Sequence, residues 1–218
     1  PVGLRLPPVQ DVAELLVRRD GIDPDVAQDA ARSAQSHVGV AKRLATDEGA
    51  RLRREKIVRL PLSLRSVSGA MKAAADLVAL AEAEAASSFE ARDAEEKAAL
   101  LASLGAPESG TLPPSMRSQV KRLEEDQLRR AKRSKNDYFD RALTDLLSFY
   151  RDALVLALDS GTDLVNESLR SELEAFAGRT TPEAILSRME EINAVRRRLV
   201  TTNVAPLLAI EAMAVSLL

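Results

Sequence analysis

The sequence predicts an all-α fold, on three observations. Ala, Leu, Glu and Arg, all strong helix formers, dominate a chain of 218 residues that is 45% hydrophobic but only 3% aromatic, with no Trp and no Cys. No run of alternating Val, Ile, Thr and aromatic residues bounded by turn residues reads as a strand. Apolar residues recur instead at helical spacing from about residue 6 to the end. The pattern divides into a small three-helix module over 1–50 and a larger helical module over 51–218.

The first helix is expected after Leu6-Pro7-Pro8, since Pro suits a first helical turn. Val9, Val12, Leu15 and Leu16 line one face, and Gly21 stands where a left-handed C-cap is preferred. The second opens on Asp23-Pro24, an N-cap followed by Pro at the first helical position. Its apolar face is Val26, Ala27, Ala30, Ala31 and Ala34, small enough for close packing. The third starts near Ser36-His37, with Gly39 at its start and Val38, Val40, Ala41 and Leu44 as its apolar residues. A unit of about 45 residues is marginal alone, so it is expected to lean on a neighbour.

The larger module reads as long helices from about residue 57. Residues 64–104 form one helical pattern broken only at Gly69, which would span about 60 Å. "GAPESGTLPP" at 105–114 is the clearest loop in the chain. A second long helix covers about 115–158, so that 64–158 form a long hairpin. Phe139, Leu143, Leu146, Tyr150 and Leu154 make its apolar stripe. "DSGTD" at 159–163 breaks it; a helix over 164–177 follows and stops at Gly178. Thr180 and Glu183 have capping-box spacing with Pro182 in the first turn, and that helix should run to about Thr202. Asn203 to Pro206 is a junction. The last helix, 206–217, is apolar on most sides and should be buried, inside this chain or between subunits.

Charge suggests how the hairpin closes. The end of its first arm is acidic, with Glu82, Glu84, Glu90, Asp93, Glu95 and Glu96. The start of its second arm is basic, with Arg117, Lys121, Arg122, Arg129, Arg130, Lys132, Arg133 and Lys135. An antiparallel hairpin sets these side by side, and the basic run then reads as complementarity that fixes register. The other reading is a nucleic-acid patch carried by Lys121, Arg122, Arg129, Arg130 and Arg133. No aromatic is interleaved to stack on bases, apart from Tyr138 and Phe139 at the edge.

Catalytic signals are missing. His37 is the only His, so a His-based metal cluster or catalytic dyad is not expected, and His37 should pack at the start of the third helix. No Gly-rich phosphate loop is present. Glu172, Glu174, Glu190 and Glu191 read as surface charge, and Arg196-Arg197-Arg198 as a solvated face. Glu211 lies inside the apolar last helix and calls for an Arg partner. No stretch of about 20 apolar residues predicts a membrane span. The absence of Cys fits a reducing compartment. The net charge of −2 argues against a chain that binds nucleic acid by bulk charge. The start at Pro1 rather than Met, with no signal-peptide pattern, predicts a piece of a longer polypeptide.

"LRLPPVQDVAELLVRRDGID" followed by "AARSAQSHVGVAKRLA" resembles the lid subdomain of AAA+ clamp-loader subunits. "YFDRALTDLLSFYRDALVLAL" and "INAVRRRLVTTNVAPLLAIEAMAVSL" resemble the collar domain of the same family. Taken together, the chain looks most like the delta-prime type of subunit in the bacterial DNA polymerase III clamp loader. The likeness is specific in order and in the two end segments, and weaker over 64–135, where the hairpin is longer than the family's usual collar.

The resemblance implies a cytoplasmic, non-catalytic part without a cofactor of its own. The P-loop, arginine finger and zinc-binding segment of the family would all lie upstream of Pro1. It implies that the collar packs with the motor and delta subunits of a pentameric loader, through Val204, Leu207, Leu208, Glu211 and Met213. The intact machine, within the DNA polymerase III holoenzyme (a nucleotidyltransferase), places a sliding clamp on primer–template DNA, which this part would touch only indirectly. In the family's motor subunits a Gly-x-x-Arg motif opens the third lid helix and senses nucleotide. Here it reads Gly39-Val40-Ala41-Lys42, then Arg43, and Lys offers a point charge where Arg offers a planar fork. That departure favours a delta-prime stator over a gamma/tau-type motor. An unrelated helical scaffold or adaptor is the remaining alternative, although no a/d heptad is sustained over three or four repeats.

Overall fold

The computed structural model describes residues 7–87, 90–105, 113–202 and 204–218, and within these every regular element is helical. α1 (Val9–Asp20) ends as expected at Gly21, whose φ of 66° is the left-handed cap that glycine adopts without a Cβ penalty. α2 (Pro24–Ser33) starts on the Asp23 cap, whose carboxylate accepts from the amides of Asp25 and Val26 at 3.0 and 3.3 Å. α3 (Val38–Thr46) follows His37, whose Nδ1 accepts from the Val40 amide at 3.4 Å. His37 is therefore an exposed cap and not a packed side chain.

The sequence reading missed α4 (Glu48–Val58). Asp47 caps it, accepting from the Ala50 amide at 3.0 Å. Its composition, "EGARLRREKIV", carries charge on every side because only Ala50, Ile57 and Val58 are buried. After the single-turn α5 (Leu60–Ser63), the helix expected over 64–104 is described as α6 (Val67–Ser87) and α7 (Glu90–Ser103), with 88–89 between them outside the described residues. Gly69 does not interrupt α6. It sits in the first turn, where its amide donates to Ser66 Oγ at 3.1 Å. The loop expected at 105–114 falls mostly on 106–112, outside the described residues.

α8 (Pro114–Ala157) runs for 44 residues and matches the expected second arm. Asp159 and Gly161, at φ 47° and 66°, turn the chain out of it. The helix expected from 164 begins later. Residues 159–166 form an irregular segment tied down by Asp152, followed by a 3-10 turn, Glu167–Leu169, and α9 (Arg170–Ala177). The cap of α10 (Pro182–Thr201) is Thr181 and not Thr180, with its side chain accepting from the Ala184 amide at 3.3 Å. α11 (Pro206–Ser216) closes the described chain.

Two apolar clusters form. The first gathers Val12, Ala13 and Leu16 of α1, the alanine face of α2, and Ala41, Leu44 and Ala45 of α3, and it extends to Ala50. The second is larger. It is built on Phe139, Leu143, Leu146, Phe149 and Tyr150 of α8, with Ala70 to Ala81 of α6, Ile185 to Leu199 of α10, and Ile210 and Met213 of α11. Phe149, Tyr150 and Phe176 pack edge to face, with centroids 5.1 to 5.9 Å apart. α4 belongs to both clusters: Ala50 joins the first and Ile57 and Val58 the second. The boundary expected at residue 50 thus falls inside one helix.

Candidate functional site

At the nucleotide-sensor-like position, Gly39 is in the first turn of α3 and exposed. Lys42 Nζ donates to Asp20 Oδ1 at 2.7 Å, so its charge is spent on the end of α1. Arg19 first, and Lys42 second, hold the Asp20 carboxyl down at about 2. Arg43 lies on a different face. It is 3.9 Å from Asp47 and lines a cleft of about 210 Å³ between α3, α4 and α8.

That cleft also takes Arg53, Arg54 and Arg141, with Asp137 and Asp145. Its guanidinium groups are already engaged. Arg53 is 3.4 Å from Asp47, Arg54 3.3 Å from Asp145, and Arg141 3.8 Å from Asp145. Behind it lies a buried polar seam that sequence reasoning missed. Arg54 Nη2 donates to Asn166 Oδ1 at 2.7 Å. Asn166 Nδ2 donates to Ser148 Oγ at 3.0 Å and to Asp152 Oδ2 at 2.9 Å. Asp152, fully buried, also accepts from the Val165 and Asn166 amides and from Arg151. A sequence signal existed: Asp145, Ser148 and Asp152 stand at i, i+3 and i+7, beside the apolar stripe of α8.

Residues expected to touch partners divide on α11. Leu207 and Leu208 are exposed, the latter by 64%, and Val204 and Glu211 are half-buried. Met213 is 3% exposed and packs in the larger core, against the expectation of a contact surface, because it points with Ala209 and Ile210 toward the interior. Among the described residues no ion-pair partner reaches Glu211.

The basic run on α8 divides too. The hairpin is antiparallel, with ion pairs Lys135–Glu82 at 3.1 Å, Arg130–Asp93 at 3.0 Å and Lys97–Glu124 at 2.7 Å. Arg130 also grips Glu96, and with Arg92 it holds that carboxyl at about 2. Glu84 and Glu90 lie outside the described side chains. Of the residues expected to meet nucleic acid, Arg130 is thus committed to the hairpin, and Arg129 is paired with Asp126. Lys121, Arg122 and Arg133 are exposed, and Asp126 lowers the local positive charge beside Arg122. On α10, Arg196 binds Asp140 at 2.8 Å, while Arg197 and Arg198 face solvent.

Among the described residues no group of three or more His, Cys, Asp or Glu side chains is arranged to hold a metal ion. Among the described residues, too, no helix is long and apolar enough to cross a membrane. What the surface offers is packing and charge pairing. No protein-family model matches the chain, and no curated protein and no solved structure matches it.

Proposed function

We propose that this chain is the lid and collar of a clamp-loader subunit of the delta-prime type, a non-catalytic part that joins other subunits of a pentameric loader. In that role it helps the loader place a sliding clamp on primer–template DNA. The observation that carries the reading is the order of the modules. A three-helix unit with its own apolar cluster precedes a bundle whose last helix leaves Leu207 and Leu208 uncovered. The Lys42–Asp20 pair supports the stator over the motor alternative, because a cation held at 2.7 Å by its own module is not offered to a phosphate. The ion-paired hairpin of α7 and α8 favours the second reading, an unrelated helical scaffold.

The test is size-exclusion chromatography with light scattering, on the chain alone and mixed with the motor subunit of the same organism's loader. A stable mixed complex is expected, weakened when Leu207 and Leu208 are changed to Asp. A chain that ignores the motor subunit would overturn the clamp-loader reading and leave the scaffold.

A further inference from the structure

Leu128, Val200 and Leu208 are the three most exposed large aliphatic side chains of the described chain, at 70, 65 and 64%. Two of them line one groove, and the third lies two residues beyond Pro206, which also lines it. The groove encloses about 890 Å³ between the middle of α8 and the junction of α10 with α11. Leu199 and Val204 line it beside them, the first buried and the second half-buried. Isolated exposed aliphatics need no explanation, but clustering around a concavity does.

Unpaired cations outnumber unpaired carboxylates around it. Lys121, Glu125, Leu128, Lys132 and Lys135 succeed one another at four-, three-, four- and three-residue steps and share one face of α8, with Glu125 the single carboxylate among three lysines. On the facing helix, Arg197 stands three residues before Val200. Lys121, Lys132 and Arg197 are exposed and have no ion-pair partner among the described residues. Among the described lining residues the one carboxylate, Glu82, is taken up by Lys135 at 3.1 Å. We infer that this groove docks an acidic amphipathic helix of a protein partner, its aliphatic stripe on Leu128 and Val200 and its carboxylates on Lys121, Lys132 and Arg197.

A helix fits better than a strand, because the surrounding elements are helices whose backbone groups bond internally and offer no sheet edge. Nucleic acid fits less well, because the groove is walled by aliphatic side chains and no aromatic among the described residues lines it to stack on bases. The inference stands whether or not the chain belongs to a clamp loader.

The experiment uses two designed, fluorescently labelled helical peptides of about 18 residues. Both carry Leu at i, i+3, i+4 and i+7; one has Glu at its polar positions and the other Lys. Anisotropy should show the acidic peptide held at least about tenfold more tightly than its basic twin. The double change Leu128→Ser/Val200→Ser, and separately Lys132→Glu, should each weaken it by about tenfold or more. Leu52→Ser, on another exposed surface, should leave it unchanged. Equal binding of the two peptides, no binding of the acidic one, or indifference to Leu128 and Val200 would overturn the inference. So would displacement of the acidic peptide by a duplex oligonucleotide whose own binding ignores Leu128→Ser.

Discussion

Arg54→Ala tests the seam between the two apolar clusters. The guanidinium and the Asp145 carboxylate are 12 and 6% exposed and 3.3 Å apart, Nε to Oδ1. Neither atom makes a hydrogen bond, so the contact is charge attraction without its directional part. Burial pulls the Arg54 pKa down and pushes that of Asp145 up, against the attraction between them. Removing Arg54 leaves a buried carboxylate and an unpaired Asn166 oxygen. Truncating one member of a buried pair costs about 3–5 kcal/mol. Arg141, 3.8 Å from Asp145 and partly solvated, compensates in part. The expected loss at neutral pH is therefore at the lower end, about 3 kcal/mol.

The sign of the pH dependence follows from the raised Asp145 pKa. Between the unfolded value and the higher folded value, the native state binds more protons than the unfolded state, so stability falls as pH rises through that window. Without Arg54 the window extends upward, and the variant should lose less at pH 5 than at pH 8. The assay is urea unfolding followed by circular dichroism at both pH values, with the m-value checked for a shared two-state transition. A loss under about 1 kcal/mol that does not change with pH would refute the reasoning, because a surface pair behaves that way.

In the first module, Lys42→Ala or Arg19→Ala should raise the Asp20 pKa from about 2 toward its ordinary value, read by NMR titration. The stability linked to Asp20 is present above the unfolded pKa and fades as pH falls toward about 2; an unmoved titration would remove the pair from the account. Thr181→Ala should cost about 1 kcal/mol while Thr180→Ala stays within a few tenths, and equal effects in thermal melts would return the cap assignment to question. Met213→Asp should unfold the chain or lower its Tm steeply, whereas Leu208→Asp should leave Tm nearly unchanged; similar melts for the two would mean that α11 is not packed by its Met213 face.

The first three helices were legible because each boundary is written in residues with a mechanism: Gly21 for a left-handed cap, Asp23-Pro24 for a start. α4 was not, because a helix shared between two clusters buries little on any one side. Ala50, Ile57 and Val58 do not make a stripe among the helix's six charged residues, and only the Asp47 cap could have announced it. The antiparallel hairpin was readable from opposite charge on its arms, but not the partners, since Lys97–Glu124 uses two residues outside the main blocks. The start of α9 was misplaced because 159–166 is held by side chains of α8, a tertiary effect that local pattern does not encode. On α11, composition announced burial without saying which side: Leu208 and Met213 are equally apolar and lie on opposite surfaces.

The seam raises a question of design, since well-packed apolar residues at Arg54 and Asp145 would be as stable or more so. An apolar contact between α4 and α8 would tolerate sliding by a turn, whereas Arg54 must meet Asp145 and Asn166 together. Asn166 is in turn fixed by Ser148 and Asp152, so the position of the first module on the bundle is tied to one register of α8. The hypothesis is that the polar seam specifies orientation and not stability. Arg54→Met/Asp145→Leu should then recover most of what Arg54→Ala loses, falling short of the original chain by the roughly 1–3 kcal/mol of the unpaired Asn166 oxygen. It should also broaden the distance distribution between spin labels at Asp11 of α1 and Glu190 of α10, both exposed. A double variant with a largely restored midpoint and an unchanged, narrow distribution would sink the idea, leaving apolar packing at Ile57 and Val58 sufficient to set the orientation.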